Sequence, residues 1–306
     1  MGDAADTVTG PRLLATSDLH VNRTDNQALV RDLHPSDPGD WLIVAGDVAD
    51  KVADIRWALA LLADRFEQVI WVPGNHDLWT PPGDDVQLVG PERYDHLVEV
   101  CRSLGVLTPE DAWPVFAGHL ICPMFLLYDY SWRVRPDMAG LSVEDALAVA
   151  REAGVVATDE FLMASRPYDG PAAWCAARLT ETRRRLSERP ADLPTVLVNH
   201  WPLTELPLRV LRHPEFSLWC GTTETARWHV EHDAAAVVYG HLHVPRTTWE
   251  DGVRFEEVSV GYPREWQRHD LLRGPLRTIL PAPEPEVPDP FTAWALRQGA
   301  RWESVR

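Results

Sequence analysis

The chain has 306 residues and a formal net charge of −17, which disfavours a general nucleic-acid binder because affinity for the phosphate backbone comes mainly from lysine and arginine. No apolar run approaches the length needed to cross a bilayer, and residues 1–10 lack the basic and apolar regions of a secretory signal. The four cysteines lie far apart with no Cys-x-x-Cys pair, which indicates reduced thiols and predicts a soluble cytoplasmic protein.

Strands and helices alternate in the prediction for the first hundred residues. Runs of hydrophobic and β-branched residues predict strands, and apolar residues at helical spacing predict the helices between them. The predicted strands are residues 13–16, 42–44 and 69–72; the predicted helices are 26–33, a longer one from 54 to about 66, and 93–104. Asn26 is the predicted cap of the first helix, and Asp54 is the predicted first residue of the second. This alternation is typical of an α/β layered fold.

Residues 128–190 are predicted to form a helical insertion beside the site. The clearest helical segments are 142–153 and 171–188, and the insertion adds no predicted metal ligand. Two more strands are predicted after it, at residues 195–198 and 236–239, and residues 253–260 are predicted to be a strand of a second sheet.

Polar residues of the metal-ligand type follow almost every predicted strand. In chain order they are Asp18 and His20, Asp47, Asn75, His200, and His241 with His243. Because ligands bind outside the carboxyl ends of the strands in an open α/β sheet, we expect these side chains to meet at one site. Carboxylate, amide and imidazole groups together suit two divalent cations.

Five sequence blocks carry a resemblance to a known family. They are Asp18-Leu-His20, Gly46-Asp47-Val-Ala-Asp50, Gly74-Asn75-His76-Asp77, Asn199-His200 and Gly240-His241-Leu-His243. Single short motifs often match by accident, but all five in this order resemble the calcineurin-like metallophosphoesterase superfamily. The resemblance implies a four-layer α-β-β-α sandwich, here with a helical insertion, and a metal-dependent phosphoric ester hydrolase.

The resemblance also implies which residues hold the metals. One cation would be bound by Asp18, His20, Asp47 and His243, and the other by Asp47, Asn75, His200 and His241. Asp47 would bridge the two, since a carboxylate can offer oxygen to both cations and offset their repulsion. In similar enzymes a hydroxide that bridges the two metals attacks the phosphorus. The ligands admit manganese, iron or zinc, and manganese and iron are favoured.

His76 is implied to be catalytic rather than a ligand. In similar enzymes this histidine stabilises the transition state or protonates the departing alkoxide, and Asp50 would orient its ring. Asn22 would contact the substrate phosphate, although a turn or capping role fits it equally well. The chain departs from the phosphoprotein-phosphatase branch after Asp50, where Lys51-Val52 replaces Arg-Gly. Lysine cannot make the bidentate contact that arginine makes to a phosphate, which disfavours that branch.

The substrate is less well specified by the sequence than the reaction. Residues 41–49, 123–130, 216–223 and 254–266 resemble an actinobacterial subgroup that includes hydrolases removing 4′-phosphopantetheine from acyl or peptidyl carrier proteins. Two alternatives stay open. One is a phosphodiesterase or phosphomonoesterase acting on a small metabolite such as a cyclic nucleotide, and the other is a non-catalytic interaction module that keeps the fold.

The overall organisation is predicted to be one metallophosphoesterase domain over residues 1–280. Residues 281–306 are predicted to be a proline-rich spacer and a carboxyl-terminal tail. A carrier protein is typically acidic, so docking would need a basic patch, for which Arg183, Arg184 and Arg185 are the visible candidates. A solvated helix face is the competing interpretation of these arginines. Neither bulk nucleic acid nor a membrane is an expected partner.

Overall fold

The computed structural model describes residues 10–267 and 274–283. Its strands are β1 (Leu13–Thr16), β2 (Trp41–Val44), β3 (Gln68–Trp71), β4 (Val115–Phe116), β5 (His119–Pro123), β6 (Thr195–Val198), β7 (Ala234–Tyr239), β8 (Arg246–Glu250), β9 (Val253–Glu257) and β10 (Arg277–Leu280). Its α-helices are α1 (Thr24–Asp32), α2 (Val52–Ala63), α3 (Asn75–Leu78), α4 (Gly90–Ser103), α5 (Val143–Glu152), α6 (Asp159–Leu162), α7 (Gly170–Ser187), α8 (Trp228–Glu231) and α9 (Pro263–Trp266).

The strands form two sheets. The four-stranded sheet has the order β10-β1-β2-β3, and the six-stranded sheet has the order β4-β5-β6-β7-β9-β8. In the first, β1, β2 and β3 are parallel and β10 is antiparallel to β1. In the second, β5, β6, β7 and β9 are parallel, and the outer strands β4 and β8 are antiparallel. The carboxyl ends of the parallel strands of each sheet therefore lie together at one edge.

The two sheets face each other across an apolar layer. Alternate strand residues point into it, because successive side chains of a strand lie on opposite faces. Leu13, Ile43 and Ile70 from the first sheet pack in one cluster with Val196 and Val238 from the second. The strand residues whose side chains point to the opposite face pack against the helices. Leu42 and Trp71, for example, lie in one cluster with Ile55 and Leu59 of α2. The arrangement is the expected α-β-β-α sandwich.

Most predicted elements are confirmed, but two helix starts were wrong. The first helix begins at Thr24 rather than Asn26, and the second begins at Val52 rather than Asp54. Asn26 does not cap its helix, because its buried amide donates hydrogen bonds to the carbonyls of Leu19 (2.7 Å) and Gly261 (2.9 Å). The polar side chain that suggested a cap instead joins α1 to the segment after β9.

The insertion is helical, as predicted. Ser142 caps α5 by accepting a hydrogen bond from the amide of Asp145 at 3.1 Å. Helix α7 buries Trp174, Leu179 and Leu186 in the same core cluster as the second sheet. The strand predicted at 253–260 is β9, which ends at Glu257 and belongs to the second sheet, as expected.

Parts of the predicted tail lie outside the described residues. Of the segment 281–306, only residues 281–283 are described. Within the described ranges, no helix combines the length and the apolarity needed to span a bilayer. The four cysteines are free and buried.

Candidate metal centre

Loops from both sheets meet at one edge of the sandwich. Main-chain hydrogen bonds join them, from the amide of Asp18 to the carbonyl of Gly46 (3.0 Å) and from the amide of Gly240 to the carbonyl of His200 (2.9 Å). The amide of Gly261 donates to the carbonyl of Asp18 at 3.0 Å and adds the segment after β9. The structure thus brings together all seven predicted metal ligands.

The backbone at this edge is strained. Five of the seven predicted ligands have positive φ angles, which are uncommon for residues other than glycine. These residues are Asp18 (52°), His20 (40°), Asp47 (54°), His241 (73°) and His243 (54°). Such strain costs about 1–3 kcal/mol per residue and concentrates at functional sites. The backbone conformation that directs these side chains to a common point therefore lowers the stability of the fold.

The first ligand group is Asp18, His20 and His243. Oδ1 of Asp18 lies 3.0 Å from Nε2 of His243, and Nε2 of His20 lies 3.2 Å from the same nitrogen. Burial raises the pKa of Asp18, but His243, which also shares a hydrogen bond with it, and the nearby His200 and His20 together outweigh that effect and lower the pKa well below its usual value. Burial holds the pKa of His20 well below its usual value, so this imidazole is neutral near pH 7.

The second ligand group is Asn75, His200 and His241. Oδ1 of Asn75 lies 3.2 Å from Nε2 of His200 and 3.2 Å from Nδ1 of His241. Burial lowers the pKa of His200 to about 4 and that of His241 well below its usual value. Both rings are therefore neutral near pH 7 and offer lone pairs.

Asp47 lies between the two groups. Its carboxylate lies 3.5 Å from Nε2 of His200, and its oxygens cluster with ligand atoms of Asp18 on one side. Burial, followed by the charges of Asp18 and Asp77, raises the pKa of Asp47 well above its usual value. The turn there requires glycine, since a Cβ at Gly74 would lie 2.5 Å from the amide nitrogen of Asp47.

Divalent cations fit this arrangement. Potential ligand atoms lie 3.2 Å apart in both groups, Nε2 of His20 and of His243 in the first, and Oδ1 of Asn75 and the facing nitrogens of His200 and His241 in the second. Three carboxylates, those of Asp18, Asp47 and Asp77, are buried close together. Cations placed among these atoms would satisfy the nitrogens and oxygens and offset the carboxylate charges.

His76 lies beside the two groups. Its Nδ1 is 2.7 Å from Oδ1 of Asp50, so its Nε2 faces the site, 3.9 Å from Oδ2 of Asp47. Asn22 donates a hydrogen bond to Oδ2 of Asp50 at 2.8 Å. The amide of Asn22 therefore supports the carboxylate that contacts His76, while its predicted contact with the substrate phosphate stays a prediction.

Asp77 supports the loops that carry the ligands, a role that the sequence did not reveal. Its buried carboxylate accepts hydrogen bonds from the amides of Asp47 (3.0 Å), Val48 (2.9 Å), Ala49 (3.3 Å) and Gly74 (3.0 Å). Burial raises the pKa of Asp77 to about 6, and these amide hydrogen bonds oppose the rise.

Glu265, Asp159 and Tyr262 are among the residues that contact the predicted ligands or His76 and were not predicted. Glu265 accepts a hydrogen bond from Nδ1 of His243 at 2.8 Å, and Asp159 accepts one from Nδ2 of Asn75 at 2.9 Å. The ring of Tyr262 stacks on His20 with centroids 4.5 Å apart, and its hydroxyl lies 3.5 Å from Nε2 of His76. Tyr262 and Glu265 fall in the 254–266 string that resembles the subgroup, whereas Asp159 carries no recognisable signal.

Comparisons with known proteins identify relatives of this chain. The sequence profile of the calcineurin-like phosphoesterase family matches residues 11–245. The [acyl-carrier-protein] phosphodiesterase PptH of Mycobacterium tuberculosis is 54% identical over 278 residues, which is 90% of this chain and 85% of that protein. The crystal structure of phosphopantetheinyl hydrolase PptH from Mycobacterium tuberculosis superposes with a TM-score of 0.87 at 53% identity, covering 90% of this chain and 98% of the other. Vacuolar Protein Sorting 29 from Cryptosporidium parvum gives a TM-score of 0.31 at 12% identity over 84% of this chain and 79% of the other, and that likeness carries no argument.

The fold and the site define a metal-dependent phosphoric ester hydrolase. The matched profile spans the five blocks from Asp18 to His243. The chain belongs to the calcineurin-like phosphoesterase family, and the resemblance found in its sequence is confirmed. The interpretation as a non-catalytic module is therefore set aside.

Proposed function

We propose that this enzyme hydrolyses the phosphodiester that joins 4′-phosphopantetheine to a serine of an acyl or peptidyl carrier protein. The observation that carries the proposal is the 54% identity, over 90% of the chain, to a relative named as an acyl-carrier-protein phosphodiesterase. The buried ligand groups and the adjacent His76 provide the chemistry that such a reaction needs.

The proposed metal ligands follow the two groups seen in the structure. Asp18, His20 and His243 would hold one cation, Asn75, His200 and His241 the other, and Asp47 both. Bound divalent cations would polarise the phosphoryl oxygens and make water a competent nucleophile near neutral pH. We propose manganese or iron, with zinc as the third choice, on the mixture of imidazole and carboxylate ligands.

His76 is the proposed acid for the departing serine. Water adds to phosphorus and releases a proton to solvent, the bond from phosphorus to the serine oxygen breaks, and that oxygen takes a proton from Nε2 of His76, which solvent then reprotonates. Asp50 holds Nδ1 of His76 at 2.7 Å and so keeps Nε2 directed at the site. The products are 4′-phosphopantetheine and the carrier protein with a free serine.

The arginines of the insertion are poor candidates for docking an acidic carrier protein. Arg184 forms ion pairs with Glu181 and Glu188, and Arg183 forms one with Glu224. The guanidinium of Arg185 donates hydrogen bonds to backbone carbonyls of residues 109 and 111. These contacts favour the solvated and structural interpretation.

Three other exposed cations lie close to residues of the site, and we call them the cationic rim: Arg23, Lys51 and Arg264. The guanidinium carbons of Arg23 and Arg264 lie 5.8 Å and 5.5 Å from the ring centroid of Tyr262. Lys51 directly follows Asp50. No ion pair joins Arg23 or Lys51 to a carboxylate among the residues that the structure describes. In a protein of net charge −17, this rim is where we propose that an acidic carrier protein docks.

The cellular compartment is part of the same proposal. All four cysteines are free and buried, which suits a reducing compartment. We therefore propose that the enzyme acts in the cytoplasm.

The test is to incubate the full chain and Mn²⁺ with a holo carrier protein and, separately, with cyclic nucleotides. We expect intact-protein mass spectrometry to show loss of the phosphopantetheinyl mass from the carrier, with no change in the cyclic nucleotides. A His76→Asn variant is the control for contaminating activity. Hydrolysis of cyclic nucleotides with an unchanged carrier would overturn the proposal in favour of a small-metabolite phosphodiesterase.

A further inference from the structure

Asp159 connects the insertion to the metal centre. It is the first residue of the short helix α6, and only 3% of its surface is exposed. Its Oδ1 accepts one hydrogen bond from Nδ2 of Asn75 (2.9 Å) and another from Nε1 of Trp79 (2.7 Å). A residue 84 positions away in the sequence therefore binds the amide of a proposed metal ligand.

The contact decides which end of the Asn75 amide faces the site. An amide carries a donor end and an acceptor end of nearly the same shape. The same oxygen of Asp159 also accepts from the indole nitrogen of Trp79, which can only donate, so this oxygen is an acceptor and binds the NH₂ end of Asn75. The oxygen of Asn75 must then point the other way, toward His200 and His241, each 3.2 Å distant. A flipped amide would present hydrogens where a cation needs a lone pair.

We propose that Asp159 is a positioning residue that fixes the orientation of Asn75, so that the insertion completes the second cation position. The proposal rests on the proposed metal ligands but not on the identity of the substrate. It gives the insertion a role in assembling the metal centre, beyond any role in recognising a substrate.

The position of α6 is itself fixed from both sides. Glu160 accepts hydrogen bonds from the hydroxyl of Tyr130 (3.0 Å) and from Nε1 of Trp219 (2.7 Å). The amide of Thr80 donates to the carbonyl of Leu162 at 3.0 Å. A helix of four residues has little stability of its own, so these contacts stabilise α6, while the hydrogen bond from Nε1 of Trp79 holds the carboxylate of Asp159 directly.

The test is a double-mutant cycle on metal binding by the full chain. Apo protein is titrated with Mn²⁺ as wild type, Asp159→Ala, Asn75→Ala and the double variant. We expect Asp159→Ala to weaken binding of one of the two cations by about 10–100-fold, the usual effect of losing a partner of a metal ligand. In the Asn75→Ala background, the same substitution should have no further effect, because Asp159 acts through Asn75.

Two variants of α6 separate positioning from general stability. Asp159→Asn keeps an oxygen that can accept from Asn75, so we expect it to restore Mn²⁺ affinity close to that of wild type. Glu160→Ala is the matched control, since Glu160 also accepts two side-chain hydrogen bonds but contacts no proposed ligand. We expect it to lower the melting temperature of the apo protein while leaving the affinity for both cations unchanged.

Two outcomes would overturn the proposal. One is wild-type Mn²⁺ affinity at both positions in Asp159→Ala; the other is that Asp159→Ala weakens Mn²⁺ binding equally in the wild-type and the Asn75→Ala backgrounds. If Asp159→Ala does not fold, a crystal structure of the metal-loaded wild type tests the same point. In that structure Nδ2 of Asn75 should donate to Asp159 and Oδ1 of Asn75 should face the cation. An amide with Nδ2 facing the cation would contradict the proposal. Failure of carrier hydrolysis alone would leave these results unaffected and would count only against the proposed substrate.

Discussion

The two halves of the metal centre are supported by different parts of the chain. Around the first group, Ser259 donates to Oδ2 of Asp18 at 2.6 Å and Glu265 binds His243, and both lie in or just after the second sheet. Around the second group, Asn75 depends on Asp159 of the insertion. The first group is therefore supported by residues of the sandwich itself, whereas the second group is also supported by a residue of the insertion. If Asp159 positions Asn75 as proposed, the insertion contributes to the chemistry without supplying a ligand.

The largest expected effect comes from removing the group that joins the two halves. Asp47→Asn keeps the size of the side chain but removes the charge that lies between the two ligand groups. We expect metal content to fall by at least one cation per chain and kcat to fall by about 10³-fold or more. Elemental analysis and steady-state kinetics measure the two effects. Full metal content in Asp47→Asn would show that the halves do not share this residue.

His76→Asn should separate catalysis from metal binding. The substitution removes the proposed proton donor but none of the proposed ligands, so we expect kcat to fall by about 10²–10⁴-fold while metal content stays at the wild-type value. The loss should be smallest for substrates with a good leaving group such as nitrophenolate, which departs without a proton. A loss of metal instead would mean that His76 belongs to the ligand set.

Glu265→Ala tests the half supported by the sandwich. Without the carboxylate, Nδ1 of His243 loses its 2.8 Å hydrogen bond and the ring is free to turn. We expect Mn²⁺ affinity at one position to fall by about 10–100-fold, with the other position unaffected. Combining Glu265→Ala with Asp159→Ala should weaken both positions, roughly as the sum of the separate free-energy losses. Loss of the same single cation in both variants would contradict the division into two halves.

The smallest expected effect concerns the cationic rim. Charge reversal at Arg23 or Lys51 should raise KM for a holo carrier protein by roughly 3–10-fold, because exposed charges act mainly on association. The dependence of KM on salt concentration should become weaker. A generic aryl phosphodiester should be hydrolysed as by wild type. Arg184→Glu is the matched control, since that arginine is exposed but already paired with Glu181 and Glu188. An equal rise of KM in Arg184→Glu would contradict docking at the cationic rim and would indicate that the carrier protein docks on the insertion.

The sequence predicted which polar residues the fold brings together better than it predicted the residues that contact them. Asp18, Asp47 and Asn75 each follow a hydrophobic strand, and parallel pairing places those strand ends together, so local patterns sufficed. Asp159 could not be found in this way, because its partner Asn75 lies 84 residues away and its neighbours form only a short helix. Asn26 was misassigned for the same reason, since a tertiary contact with Gly261 replaced the expected local cap.

The central claim is that two cations share this pocket through Asp47. The most direct measurement is anomalous X-ray diffraction from crystals of the full chain reconstituted with Mn²⁺. We predict two anomalous peaks, one within bonding distance of Asp18, His20 and His243 and one within bonding distance of Asn75, His200 and His241, with the Asp47 carboxylate contacting both. A single peak, or an Asp47 side chain that points away from both positions, would contradict the account.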